Sequence, residues 1–255
     1  MFADNTDFAG DLHKEHTPEA IRQRLQEGPK HSYLRDFVYG AIDGAVTTFA
    51  VVAGVTGANL SGGVVVVLGA ANLIADGFSM AASSFLATRA EHHHRNRLRR
   101  MEEMHVALLP EGEREEIRQI FAAKGFQGED LERVVSVITA DVEQWVDTMM
   151  KEELGLVLDS PSPWRTAFAT FAAFIVIGAI PLLAYVYLML VPGGLTRPFW
   201  WSAALTGAAF FLVGTWKSRF VERPWYAGGL ETLAVGGLAA TLAYYTGVFL
   251  RHVVQ

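Results

Sequence analysis

Asp76 and Met80 stand four residues apart in an otherwise apolar run, so a helix places a carboxylate and a thioether on one face. A charged side chain at bilayer depth costs at least roughly 2.5–3.5 kcal/mol on insertion scales, and persists where it meets a partner, a cavity or a cation. A second acid, Asp43, lies in the preceding apolar run with Gly40 and Thr47 on its face. Two readings of Asp43 are open. It is a metal ligand, or it is a hydrogen-bond acceptor between helices brought close by Gly40, Gly44 and Ala45. Met80 alone would be apolar filler. Beside two acids it completes an oxygen-and-sulfur donor set that suits a first-row divalent ion better than Mg²⁺ or Ca²⁺. Asn72 and Ser83 or Ser84 extend the polar stripe, and weak ligands of this kind permit release as well as binding.

A second group of candidate ligands lies between residues 89 and 165. Glu102, Glu103, Glu113 and Glu116 precede the string Met149-Met150-Lys151-Glu152-Glu153. Glu113 and Glu116, and likewise Met150 and Glu153, are helical neighbours at i,i+3. A solvated acidic face explains the glutamates alone; the methionine pair repeats the oxygen-and-sulfur chemistry of the second run. His92-His93-His94 fan out by about 100° per residue on a helix and cannot ligate one ion together. Glu91-x-x-His94 and Glu102-x-x-His105 match the Glu-x-x-His element of di-iron bundles, but that site needs the motifs on different helices and these share one. Glu231, in the last apolar run, has Lys217 at the same depth as a neutralising partner, with proton handling as the other reading.

These residues must be positioned by membrane helices. Of the 255 residues, 51% are hydrophobic and 19% charged, and the mean hydropathy is +0.23. Residues 89–165 hold 16 of the 27 Asp and Glu and 11 of the 21 Lys and Arg, so charge is segregated from the apolar runs. Runs at about 36–57, 64–88, 167–190, 199–219 and 227–250 are long enough to cross a bilayer. The fold class is therefore all-α, with five transmembrane helices and a helical insert. The expected division is an N-terminal segment 1–32 with a short amphipathic surface helix opened by Thr17-Pro18-Glu19, spans one and two in 33–88, the insert 89–165, and spans three to five in 166–255.

Lys14, Arg22, Arg24, Lys30 and Arg35 flank the first span, Arg89 to Arg100 follow the second, and Lys217, Arg219 and Arg223 follow the fourth. The opposite side has Arg197 and Arg251, so the N-terminus and the insert are expected in the cytoplasm. Asp4, Asp7 and Asp11 are unlike the basic start of a secretory signal. No cysteine is present, which excludes disulfides and thiolate metal sites. The formal charge of −6, without a basic arm, gives no reason to expect nucleic acid as a partner. Within the insert, no breaker separates Ala81 from Leu109, so the second span is expected to continue as one long helix. Pro110 then opens a helix over 111–124, and two more are expected near 129–139 and 142–154, the last capped by Asp141 with Gln144.

Tyr33-Leu34-Arg35-Asp36, Asp43-Gly44, the stretch Ala71-Asn72-Leu73-Ile74-Ala75-Asp76-Gly77-Phe78-Ser79-Met80-Ala81-Ala82, Ile177-Gly178-Ala179-Ile180-Pro181-Leu182 and Asp147-Thr148-Met149-Met150-Lys151-Glu152-Glu153-Leu154-Gly155 resemble the vacuolar iron transporter family. The resemblance covers residue 33 to about 250. It implies a five-span homodimer with a cytoplasmic metal-binding domain, exporting Fe²⁺, and often other divalent ions such as Mn²⁺, Co²⁺ or Zn²⁺, in exchange for protons. By the family's pattern Asp43 and Met80, with Asp76 beside them, fall on the translocation path. Glu102, Glu113, Glu116, Met149, Met150 and Glu153 fall on the cytoplasmic site. His105 stands where a further Glu is expected, which bears on metal count and pH dependence there. Ser84 stands where many members carry an acid or amide, which speaks against more than one acid in span two. The implied host is a bacterial inner membrane or a eukaryotic vacuolar-type membrane. The competing class is a membrane-anchored iron sensor or di-iron oxidase that moves nothing. If His105 is a ligand it binds only as neutral imidazole, so occupancy should fall between roughly pH 7 and 5.5, above the range expected for glutamates.

Overall fold

The computed structural model describes residues 14–27, 32–157, 161–218 and 223–254. Asp4, Asp7, Asp11, Lys30 and Arg219, which entered the charge argument, lie outside them. The described residues are helical, with no strand among them. In chain order the helices are α1 (Pro18–Glu27), α2 (Leu34–Gly57), α3 (Gly62–Leu108), α4 (Pro110–Ala123), α5 (Gly128–Ile138), α6 (Val142–Glu152), α7 (Pro163–Gly178), α8 (Leu183–Leu190), α9 (Pro198–Ser218) and α10 (Trp225–Val254). Five stretches are long and apolar enough to cross a membrane: Leu34–Gly57, Gly62–Leu108, Pro163–Leu190, Pro198–Ser218 and Trp225–Val253. The chain is thus an all-α, multi-pass membrane protein. The second span runs without a break from Gly62 to Leu108, as the absence of a breaker in its sequence predicts.

The described residues form two compact units, divided inside α3 between Arg100 and Met101. The first takes residues 33–100 and those from 161 onward. Its central element is α2, which packs along α7 and α10 and against α9. Close approach is possible because α2 carries glycine where other backbones arrive. A Cβ on Gly44 would lie 2.5 Å from the Phe174 carbonyl oxygen, and one on Gly40 would collide with the carbonyl of Thr170. Phe49, Val52, Val55, Val65, Leu73, Phe174 and Leu182 fill the core around this contact. The link from α2 to α3 is four residues long, turned by Asn59 at φ 57°, a left-handed conformation that asparagine tolerates.

The third span departs from the single run expected over 167–190. α7 stops at Gly178, a 3₁₀ turn covers Ile180–Leu182, and α8 resumes at Leu183. Pro181 is the cause, since it offers no N–H and its ring crowds the preceding turn. Ser202 on α9 donates to the Pro181 carbonyl at 2.6 Å, so the interruption keeps a buried acceptor satisfied.

The second unit holds α1, the end of α3, and α4 to α6. Pro110 occupies the first turn of α4, where its missing N–H costs nothing. Gly125 (φ 99°) follows α4 and Gly155 (φ 63°) follows α6. Asp141 caps α6 by accepting from the Gln144 N–H at 2.8 Å, as its spacing predicts. Ile117, Val135, Trp145, Val146, Met149 and Met150 are buried in this unit.

Candidate functional site

In the membrane unit, α2 and α3 bring their polar residues to one cavity of about 650 Å³. Asp43 and Tyr39 come from α2, Asp76, Met80, Ser83 and Ser84 from α3, and Thr170 from α7. Asp43, Asp76 and Met80 are each half-buried. The three candidate path residues thus share one space, although they lie on two helices. Asn72 is not among the lining residues; its amide nitrogen is buried and meets no acceptor among the described residues. The Thr47 hydroxyl donates to the Asp43 backbone carbonyl at 2.9 Å, so it serves the helix rather than the carboxylate. Sequence reasoning passed over Arg35, Asp36, Tyr39 and Ser79 as lining residues. The signal existed for two of them: Asp36, Tyr39 and Asp43 repeat at i, i+3 and i+7 on one face.

In the second unit, ligand atoms of Glu102, His105 and Glu113 all lie within 4.8 Å of one another. The turn at Leu109–Pro110 makes this possible. Glu113 follows His105 by eight residues, yet its Oε1 comes within 3.4 Å of His105 Nδ1 because α4 folds back on the end of α3. Glu102 and Glu113 are 2% and 5% exposed, and one carboxylate oxygen of each, Oε2, is buried with no hydrogen-bond partner among the described residues. Two buried acceptors without donors, on carboxylates whose ligand atoms converge, are costly unless a cation or a proton supplies the missing charge. With an imidazole beside them, the donor set suits a first-row divalent ion.

The electrostatics record the same shortage of positive charge. Burial first, then the charges of Glu116 and Glu102, push the Glu113 carboxyl up to about 7, against a smaller opposing effect of His105. Glu153 is also raised, by desolvation and by Glu102 and Glu116, and His105 again opposes. Glu116 and Glu153 therefore lie close enough to Glu102 and Glu113 to act on the same cluster. Methionines 149 and 150 are fully buried on α6, the helix that ends beside Glu153. Glutamates are expected to titrate below the pH range in which a histidine ligand is lost; burial and the flanking acids push the Glu113 carboxyl up to about 7, toward that range. Other acids of this unit differ in kind, being neutralised: Glu132 and Glu115 by Arg118, and Glu152 by Lys124.

The remaining candidates stand apart. His92 Nε2 meets the Pro161 carbonyl oxygen at 2.9 Å, and His93 accepts from Arg89 Nε at 3.3 Å, so the histidine run diverges as helical geometry requires. Glu91-x-x-His94 does not join the cluster, whereas Glu102-x-x-His105 supplies two of its three converging members. Lys217 Nζ lies 3.7 Å from Glu231 Oε2, the neutralising pair expected from their positions.

Comparison with known proteins places these features in a wider group. Residues 34–248 match the family model described as the VIT family. The chain is 32% identical over 222 residues to vacuolar iron transporter 1 of Arabidopsis thaliana, covering 86% of each chain. It is 33% identical over 243 residues to vacuolar iron transporter 2 of Oryza sativa subsp. japonica, covering 91% of this chain and 96% of the relative. With the vacuolar iron transporter of Toxoplasma gondii the identity is 32% over 251 residues, 96% of this chain and 82% of the relative.

Proposed function

This chain belongs to the VIT family, a transporter rather than an enzyme, and we propose that it exports Fe²⁺ from the cytosol across its membrane in exchange for protons. The observation that carries this reading is the shared cavity of Asp43, Asp76 and Met80, drawn from two apolar helices at bilayer depth. A packed bundle has no use for two carboxylates and a thioether around one space. A cation path does, because each carboxylate can hold a metal or a proton but not both. The competition itself couples the two flows.

The homodimer is part of the proposal. Asp43 and Asp76 are only half-buried within one chain, which leaves room for a second copy to complete a central path. The cluster of Glu102, His105 and Glu113, with Glu116, Glu153 and the two methionines nearby, acts on the cytoplasmic side. The Lys and Arg bias of the flanking segments supports that orientation. There it gathers Fe²⁺, and Mn²⁺, Co²⁺ or Zn²⁺ when these are abundant. Fe²⁺ uptake by sealed vesicles carrying the full chain, with Mn²⁺, Co²⁺ and Zn²⁺ as competitors, tests the reading. Internal iron that rises above protein-free vesicles and falls with each competitor supports it. Iron that binds the protein without entering the lumen supports a membrane-anchored sensor or oxidase instead.

A further inference from the structure

Along one face of α3 the side chains step through Phe78, Leu86, Arg89, His93, Arg97 and Arg100, each three, four or eight residues from the last, so they form one continuous stripe. All six are exposed. The stripe is apolar while the helix lies in its hydrophobic run and turns basic at Arg89. Asp76 and Met80 lie about 110° and 150° around the helix from the centre of the stripe, on another face, and none of the six residues lines the cavity described above.

A second feature marks the depth at which the change occurs. Trp164, 74% exposed at the start of α7, lies against Phe85 with ring centroids 4.6 Å apart. An exposed indole at the end of a membrane helix belongs at the level of the lipid headgroups. Arg89 is one turn beyond Phe85, and the exposed Arg165 follows Trp164. The structure fixes this corner firmly, since His92 bonds the Pro161 carbonyl ahead of α7 and His93 holds Arg89. Arg97 and Arg100 follow within about 17 Å of Arg89 along the helix at 1.5 Å per residue. Side-chain reach plus a Debye length of about 8 Å keeps them within the field of a charged leaflet.

We propose that this corner, Arg89, Arg97, Arg100 and Arg165 around Trp164, is a binding surface for anionic phospholipid headgroups. The guanidinium groups match phosphate in charge and in donor geometry, and the adjoining apolar stripe accommodates the acyl chains. The surface would hold anionic lipid at the membrane face from which the metal path is entered.

The test uses the full chain in mixed phosphatidylcholine–phosphatidylglycerol vesicles, with brominated acyl chains on one lipid or the other in separate samples. Quenching assigned to Trp164 is the difference between wild type and Trp164→Phe. The expected result is an apparent preference for phosphatidylglycerol of about fivefold or more, the size a few basic residues at a charged surface produce. That preference should collapse in the variant Arg89→Gln, Arg97→Gln, Arg100→Gln and survive in Arg133→Gln, whose charge lies in the other unit. Raising salt on the wild type should weaken it as well, which keeps the test valid if the triple variant inserts poorly. Equal quenching by both lipids overturns the proposal. So does a triple variant that keeps the lipid preference but loses its partner subunit on cross-linking, since the stripe would then be a contact between two copies.

Discussion

At the scale of single residues, buried and half-buried carboxylates would do the metal chemistry. Asp43→Asn keeps volume and hydrogen bonding but deletes the charge, so metal flux should drop to background while the protein stays folded and assembled. Near-normal flux in that variant would remove Asp43 from the path. Met80→Leu removes only the sulfur, and should lower Fe²⁺ and Co²⁺ flux more than Mn²⁺ flux because Mn²⁺ prefers oxygen; an equal loss for all ions would make Met80 a packing residue. Glu113 gives a pH signature. Burial and the flanking acids hold its folded carboxyl up at about 7, against an ordinary value of about 4.5, so between these values the folded protein holds a proton that the unfolded chain has lost. Stability of the metal-free unit should therefore fall as pH rises from about 4.5 to about 7 and level off above, the reverse of a salt-bridged acid. Hydrogen exchange in α4 and α6 reads this directly, and added metal should restore protection at about pH 8.5, where Glu113 has lost nearly all of its proton. His105→Gln should weaken metal affinity at that pH while the loss on acidification still centres near the Glu113 titration. Identical affinities would leave the site to carboxylates and methionines.

At the scale of elements, much was legible in the sequence, and what was not has a physical reason. Hydropathy and length located five spans, and the missing breaker between Ala81 and Leu109 foretold the long α3. Pro181 was visible but its effect was not, because a proline in a membrane helix can kink, break or be absorbed according to the acceptors nearby. Here Ser202, from another helix, settles it. The grouping of Glu102, His105 and Glu113 was legible through the family resemblance but not from spacing alone, since their approach depends on how sharply the chain turns at Leu109–Pro110. Periodicity does reveal which residues share a face, as for Asp36, Tyr39 and Asp43, but not which helix that face meets. The glycines of α2 make that meeting specific. Gly44→Ala would set a methyl 2.5 Å from the Phe174 carbonyl oxygen, in backbone that cannot yield like a flexible side chain. It should force α2 and α7 apart, lower the melting temperature of the solubilised protein by several degrees and reduce flux. Unchanged stability would mean that the contact is loose.

At the scale of the whole molecule, the chain pairs two kinds of site built from similar donors. One lies among apolar helices, where charge is costly and ligands are few. The other lies in a polar helical unit where buried acids crowd one another. On the proposed function both would bind metal and proton in competition, and a membrane between unequal pH values would turn that competition into transport. The decisive measurement follows luminal pH and luminal iron together in vesicles carrying the full chain, with the interior made acidic and Fe²⁺ supplied outside. Iron should enter as the lumen loses protons, both signals should vanish when the gradient is abolished, and both should be absent with Asp43→Asn. Iron entry that is indifferent to the gradient, or proton loss without iron entry, would contradict proton-coupled export.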